Sequence, residues 1–337
     1  MDLKAFYIKL VLILLLCIFL SLSLGKYPIS FEQMFHYLYS LIVSNNLNES
    51  LQMIDNIIIE IRLPRIIAAV LIGAAYAVSG ASFQAMFINP LVSPGILGVL
   101  SGSAFGAALA IAFFDNWFLT QFFSFTFGIL AVVFAIFVTM LYQNRANSSL
   151  ILILGGIISG SAFSTLLSIV KFTADPYEKL PSIVYWLMGS LSFIELNQII
   201  IVSIPMLLGI LILVGVSKYL NILSFSEEEA KSMGVNTKLI KTIVIIVATL
   251  ISAISVSLAG MIGWIGLIIP HFARLLVGAN NQVLLPTCAL LGATFLLIVD
   301  NFSRMLFEFE VPIGILTSVI GIPIFIFVLR SSKKALQ

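Results

Sequence analysis

Ten apolar segments, each close to 20 residues long, dominate this chain of 337 residues. A helix of about 20 mostly apolar residues is long enough to cross the hydrocarbon core of a bilayer. Backbone polar groups must be satisfied internally in lipid, which favours helices for such segments. The pattern predicts an all-α polytopic membrane protein with about ten transmembrane helices, near residues 6–25, 64–87, 95–114, 118–142, 149–170, 195–217, 238–258, 260–277, 283–304 and 312–330.

Composition supports the same fold class. Hydrophobic residues make up 61% of the chain and charged residues only 9%, against roughly 25% charged residues in a soluble domain. There is no basic tract of the kind that binds nucleic acid. Both cysteines lie in apolar segments, so neither a disulfide framework nor a metal site is expected. The first apolar segment is longer than that of a usual signal peptide, and we interpret it as a retained helix.

The distribution of positive charge predicts the orientation. Ten spans place both termini on one side of the membrane. If that side is cytoplasmic, eleven Lys and Arg residues fall inside and six fall outside. Because Lys and Arg are enriched in cytoplasmic loops, both termini are predicted to be cytoplasmic. The polar-amphipathic stretch 26–60 and a short helix near 181–192 would then lie outside the membrane.

One cytoplasmic stretch, ILSFSEEEAKSMGVN at 222–236, gathers three glutamates in this apolar chain. Ser226 and Glu229 have the spacing of a capping box, which opens a helix. Negative charge in the first turn is favoured by the helix dipole. Gly234 is placed to end the helix as a C-terminal cap. A short helix is therefore predicted over about 226–234.

This predicted helix is more suited to a protein partner than to a lipid surface. Amphipathic helices on anionic membranes are usually rich in Lys and Arg, not in glutamate. A short capped helix with a small apolar face, presented by Ala230, Met233 and the flanking Phe225, fits a groove on a soluble partner. The residues assigned to this coupling surface are Ser226, Glu227, Glu228, Glu229, Ala230, Met233 and Gly234.

Four motifs in order along the chain carry a resemblance to a known family. They are IRLPRIIAAVLIGAAYAVSGASFQAMFINPLVSPGILGVLSG at 61–102, LSFSEEEAKSMGVNTKLIK at 223–241, LAGMIGWIGLIIPHFARLLVG at 258–278 and VPIGILTSVIGIPIFIFVL at 311–329. Together they resemble the FecCD family of permease subunits of ABC importers for metal chelates. The resemblance implies a BtuC-like permease fold of ten helices in one domain over residues 1–337.

The resemblance also implies the partners. Two permeases pair around a central pathway in the bacterial inner membrane, two cytoplasmic ATPase subunits bind the glutamate-capped helix, and a substrate-binding protein docks outside. The chain has no G-x-x-x-x-G-K-[ST] motif, so ATP and Mg²⁺ are expected on the separate ATPase. The chain itself is expected to bind no cofactor and to be no enzyme.

Two further sites follow from the resemblance. Arginines matching Arg62, Arg65 and Arg304 receive glutamates of the binding protein in the family, a pairing that the planar guanidinium favours. Local pairing is the alternative, since Glu60 lies near Arg62 and Asp300 one helical turn before Arg304. The turn at Asn147, Ser148 and Ser149 matches the family's cytoplasmic gate; its alternative role is to cap a helix.

Ionisable residues are scarce within the predicted spans, and Asp300 is the main one. An ion-coupled secondary transporter, which is the alternative function, usually places such groups near mid-membrane. An intramembrane protease is excluded because the chain lacks H-E-x-x-H and G-x-S-G motifs. Within the family an iron siderophore is the commonest cargo and is expected here. Haem, cobalamin and a molybdate-type oxyanion remain open.

Overall fold

A computed structural model describes residues 2–43, 49–114, 116–142, 148–225 and 227–335. This part of the chain is helical over most of its length and contains no β-strand. The α-helices are α1 Leu3–Ser23, α2 Phe31–Val43, α3 Glu49–Asn56, α4 Leu63–Phe87, α5 Val99–Phe113, α6 Trp117–Leu141, α7 Ser148–Thr173, α8 Lys179–Leu187, α9 Leu196–Gly215, α10 Ser217–Ile222, α11 Glu227–Ser232, α12 Thr237–Ala259, α13 Ile265–Val277, α14 Asn281–Met305 and α15 Ile313–Ala335.

Each of the ten apolar segments overlaps most of one long helix. Seven helical stretches in the described part are long and apolar enough to cross a membrane: α1, Leu51–Phe87 with α4, α6, most of α7, α9, α12 and α14. The apolar helices α5 and α13 and the first part of α15 are shorter. The prediction of an all-α membrane protein with about ten spans is confirmed.

Two spans begin later than the hydropathy pattern predicted. The segment before α5 forms a 3₁₀ turn at Pro94–Leu97, and Gly98 follows it with φ +87°. The segment before α13 is not helical from 260 to 264, and Gly260 has φ +69°. Left-handed backbone of this kind interrupts a helix without changing hydropathy. Hydropathy alone therefore could not place these two helix starts.

The stretch 26–60 contains helices that the sequence analysis did not assign. α2 and α3 pack on each other through buried apolar side chains, among them Met34, Tyr37 and Ile54. A π-helical turn, Ile57–Arg62, then joins α3 to α4. The stretch is thus a small helical layer at one end of the bundle.

Helix α4 forms the centre of the bundle, because most of its side chains are buried. It packs against α14, α12, α13 and α9. A Cβ atom added at Gly73 would overlap the carbonyl of Gly292, and one added at Gly292 would overlap that of Gly73. A Cβ atom added at Gly80 would likewise overlap the carbonyl of Gly266 of α13. These small residues let the backbones approach closely.

The bundle has two ends that carry different chemistry. α14 has 25 residues and is therefore about 37 Å long. Its C-terminal end lies beside Arg65, and we name this the arginine end. Its N-terminal end lies beside α10, where the Asn221 side chain donates to that of Asn280 over 2.8 Å. We name this second end, which leads into α11, the α11 end.

Candidate functional site

A buried cluster of charged side chains occupies the arginine end. Arg65, in the first turn of α4, places Nε 2.7 Å from Asp300 Oδ1 and Nη1 2.8 Å from Glu310 Oε2. The side chains of Arg65 and Asp300 are 4% and 0% exposed. A buried charge of this kind is stable only when it is paired and hydrogen-bonded. The guanidinium of Arg65 therefore ties α4 to α14 and to the connection that follows α14.

Arg304 extends the cluster toward α1. Its Nε lies 3.3 Å from Asp300 Oδ2, one helical turn away. Its Nη2 donates to Ser21 Oγ over 2.8 Å and also to the side-chain oxygen of Asn301. The local pairing of Asp300 and Arg304, given above as the alternative to docking, is thus present in the structure.

Arg62 has a different kind of partner. Its guanidinium donates to the backbone carbonyls of Leu22 and Tyr27, at the corner between α1 and α2, and not to Glu60. Arg62 is only 3% exposed. Its position at the end of the π-helical turn places it inside this corner.

The charges of the cluster do not balance. The guanidinium groups of Arg65 and Arg304 pair with the carboxylates of Asp300 and Glu310, and Arg62 adds a third guanidinium close to Arg304, which leaves positive charge in excess. The three arginines are 3%, 4% and 7% exposed. None of them offers a free guanidinium at the surface, so docking by these arginines stays a prediction.

Glu310 is the member of the cluster nearest to solvent, with 28% of its side chain exposed. Burial raises the pKa of its carboxyl group, but Arg65, the Ser192 hydroxyl and Lys26 lower it by more. The balance holds the pKa of Glu310 below its usual value of 4.5. Glu310 is therefore an anion at neutral pH.

Three connections between helices meet beside Glu310. The Ile313 N–H donates to the Gly189 carbonyl over 2.9 Å, and the Ser190 N–H donates to the Ala259 carbonyl over 2.8 Å. The α8–α9 connection also supplies a hydroxyl that donates to the Glu310 carboxylate. The starts of α9 and α15 and the end of α12 are thus held together at the arginine end.

At the other end of the bundle, α11 is a short helix beside α12. The Val235 N–H donates to the Ala230 carbonyl over 3.1 Å, and Gly234 has φ +75°. Ala230 is 1% exposed and faces inward, which differs from the predicted apolar face. Phe225 and Met233, 51% and 54% exposed, form the apolar surface instead.

Several predicted residues at this end lie outside the described part. Ser226 of the capping box and Asn147 of the gate are outside it, and so are the side chains of Glu227 and Glu228. Ser148 and Ser149 begin α7. The coupling and gating roles of all these residues therefore stay predictions.

Sequence reasoning missed a row of hydroxyl groups on α7. Ser161, Ser164, Thr165 and Ser168 are all exposed. The Ser164 hydroxyl lies 3.2 Å from Ser101 Oγ of α5. Their i, i+3, i+4, i+7 spacing places them on one helix face, which a periodicity search would have found. We name these four residues the hydroxyl stripe.

A bundle of apolar helices with charge buried at one end and a short helix exposed at the other is the architecture of an integral membrane protein. The model of the FecCD transport family matches residues 13–331, and the chain belongs to this family. It is a permease subunit of an ABC importer and not an enzyme. The predicted family is confirmed, which removes the ion-coupled alternative.

Relatives with three different cargoes are similar to the chain. It is 42% identical to the molybdate import permease MolB of Haemophilus influenzae over 94% of this chain and 92% of that one. It is 40% identical to a probable iron chelatin permease of Helicobacter pylori, over 85% and 86%. It is 36% identical to the vitamin B12 permease BtuC of Salmonella typhi, over 82% and 84%.

Solved structures share the fold. One, described as an inward-facing conformation of a metal-chelate type ABC transporter, is 39% identical, has a TM-score of 0.85 and covers 97% of this chain and 99% of that one. PsaBC from Streptococcus pneumoniae, at 17% identity and a TM-score of 0.58, covers 88% and 95% and shows the fold alone. In this family an ATPase uses the ATP and a binding protein delivers substrate.

Proposed function

We propose that two copies of this chain form the translocation pathway of a binding-protein-dependent importer in the bacterial inner membrane. The excess of Lys and Arg on one side, eleven against six, supports cytoplasmic termini. With that orientation the α11 end is cytoplasmic and the arginine end faces the binding protein. Two ATPase subunits then bind at α11, one on each copy, through Phe225 and Met233.

We assign the hydroxyl stripe to the pathway, and this is the observation that carries the proposal. Four neighbouring hydroxyl-bearing residues lie on the exposed face of α7. Ser164, Thr165 and Ser168 donate to protein oxygens, but each hydroxyl oxygen can still accept a hydrogen bond from water. Their neutral oxygen and O–H groups suit a hydrated surface that a solute crosses without tight binding. Tight binding then falls to the separate binding protein.

Cysteine labelling tests this assignment. Ser164→Cys and Ser168→Cys, studied in nanodiscs with a charged methanethiosulfonate reagent, should react many times faster than Leu166→Cys. Leu166 is also exposed, at 41%, but lies about 160° around α7 from Ser168. Equal slow labelling at all three positions would place the stripe against lipid or protein and remove the assignment.

We propose a molybdate-type oxyanion as the cargo and an iron chelate as the second candidate. The first is supported by the 42% identity to the molybdate permease, which extends over 94% of this chain. The second is supported by the 40% identity to the probable iron chelatin permease over 85%. The siderophore expectation, based on frequency within the family, takes second place for that reason.

Uptake into proteoliposomes distinguishes the two cargoes. The permease is reconstituted with its ATPase and binding protein, and the entry of radioactive molybdate and of a radioactive iron–siderophore complex is measured with and without ATP. ATP-dependent molybdate uptake alone supports the first assignment, and iron uptake alone supports the second. If neither cargo enters while the binding protein still stimulates ATP hydrolysis, the cargo is different but the importer assignment stands.

We propose that the binding protein docks over the arginine cluster and that its carboxylates compete with Glu310 for Arg65. The excess positive charge and the partly exposed Glu310 support this arrangement. We also retain Asn147, Ser148 and Ser149 as the cytoplasmic gate. A disulfide formed across the dimer by Ser149→Cys should block uptake, and full uptake by the cross-linked protein would place the gate elsewhere.

A further inference from the structure

Helix α2 and the residues before it carry large aromatic side chains that the transport function does not use. Tyr27, Phe31, Phe35 and Tyr39 recur at every fourth position and are 46%, 49%, 62% and 63% exposed. Residues four apart are neighbours on a helix surface, so the last three form one side of α2. We name Phe31, Phe35 and Tyr39 the aromatic face. Exposed apolar surface of this kind indicates a contact with something other than water.

The remaining sides of α2 have distinct surroundings. Met34 and Tyr37 are each 2% exposed and pack against α3, where the Tyr37 hydroxyl donates to Asp55 over 2.5 Å. Glu32, Gln33 and His36 form an exposed polar side, which lies around the helix between the aromatic face and the packed apolar residues. α2 therefore has one side that packs against protein, one that is suited to water and one that is suited to an apolar phase.

The aromatic face continues the apolar surface of α1. Only Leu10 and Ser21 of α1 are buried, so most of this membrane-spanning helix faces outward. Phe19, one turn before the end of α1, has its ring centroid 5.6 Å from that of Phe31, and the two rings are inclined by only 6°. The Phe35 ring lies 6.2 Å from Phe19. The outward-facing apolar surface of α1 is thus continuous with the aromatic face, and the same apolar surroundings contact both.

The corner between α1 and α2 fixes this arrangement. Arg62 donates to carbonyls on both sides of the corner, those of Leu22 and Tyr27. The Ser23 hydroxyl donates to the Ile29 carbonyl over 2.6 Å. These bonds hold α2 in a set direction relative to α1, so its aromatic face does not turn freely toward water.

We propose that α2 lies in the membrane interface at the arginine end and that its aromatic face contacts lipid. Aromatic rings are enriched at the boundary between headgroups and acyl chains, and amphipathic helices bury their apolar side there. The occupant of the aromatic face is therefore lipid, and Glu32, Gln33 and His36 face water. The interfacial helix and the buried Arg62 together set the depth of the arginine end in the bilayer.

Spin labelling in lipid nanodiscs tests the proposal. In the full-length protein with Cys17→Ala and Cys288→Ala, a nitroxide is attached at Phe35→Cys or at Gln33→Cys on the polar side. The accessibility to oxygen, which partitions into lipid, is compared with that to a water-soluble nickel chelate. We expect the oxygen-to-nickel ratio to be severalfold higher at position 35 than at position 33.

Two outcomes would overturn the proposal. Equal ratios at the two positions would mean that both sides of α2 face the same phase, either water or lipid. A label at position 35 that is shielded from both reagents would mean that protein covers the aromatic face. If the cysteine-free protein does not fold, Phe35→Trp and Gln33→Trp in the native chain give the same comparison, because brominated lipid should quench only the added fluorescence of Phe35→Trp.

Discussion

Arg65 and Glu310, which are 245 positions apart in the sequence, form an ion pair with an Nη1–Oε2 distance of 2.8 Å at the arginine end of the bundle. The same guanidinium binds Asp300, which is fully buried. One side chain of α4 therefore fixes both the end of α14 and the connection to α15. Removing one partner of such a pair leaves a buried charge without compensation.

Asp300→Asn should strongly destabilise the protein. The substitution leaves Arg65 and Arg304 without their shared carboxylate, and losing one partner of a buried pair costs about 3–5 kcal/mol. The free energy of unfolding in detergent, measured by denaturant titration, should fall by this amount. Glu308→Gln, in the exposed connection after α14, is the matched control and should change it by less than about 0.5 kcal/mol. Equal stabilities of the two variants would contradict the buried network.

The contribution of Glu310 should depend on pH. Its pKa is lowered in the folded protein from the usual 4.5, so the folded state favours the anion. The stabilisation is fully present above the unfolded pKa and is lost as the pH falls through the lower folded pKa. The stability difference between the wild type and Glu310→Gln should thus be constant above about pH 5.5 and shrink below pH 4.5. A difference that stays constant down to pH 3 would exclude ionised Glu310 as its source.

Gly80→Ala should disturb the centre of the bundle. A Cβ atom there overlaps the carbonyl of Gly266, and overpacking of this kind costs about 1–3 kcal/mol. Gly215→Ala at the end of α9, where an added Cβ meets nothing within 4 Å, is the control. The thermal midpoint in detergent should fall for Gly80→Ala only. Similar midpoints would mean that the two helices can separate at little cost.

Met233→Glu should prevent assembly with the ATPase and leave the fold intact. Met233 is 54% exposed beside α11, so the added charge meets water in the free permease but an apolar groove in the proposed complex. Size-exclusion chromatography of the permease mixed with its ATPase measures assembly. Met305→Glu, at the arginine end with a similar exposure of 53%, should assemble normally. Normal assembly of both variants would remove Met233 from the interface.

The sequence predicted the ten spans because hydropathy is a local property that each segment carries by itself. The pairing of Asp300 with Arg304 was open to the sequence as the alternative to docking, since residues four apart on a helix are neighbours. The pairing of Arg65 with Asp300 could not be predicted, because the relative height of α4 and α14 depends on how they pack. That height is set by the contact of Gly73 with Gly292.

The partners of Arg62 could not be predicted either, because they depend on how the helices pack. Its partners are backbone carbonyls of another helix corner, and carbonyls carry no signature in a sequence. By contrast, the residues of the hydroxyl stripe and of the aromatic face recur at regular spacings, which can be recognised from the sequence alone. Hydropathy marks 26–60 only as an amphipathic stretch and does not separate the aromatic side of α2 from its polar side.

The interlocked glycines of α4 and α14 have a mechanical consequence. The backbones of α4 and α14 touch at Gly73 and Gly292, and Arg65 and Asp300 join the two helices at the arginine end. The two helices therefore cannot slide or rotate past each other. They form a rigid strut about 37 Å long. A force applied to this pair at one membrane surface should therefore reach the other surface through both helices together. The displacements that admit a solute must then occur in the helices around this strut.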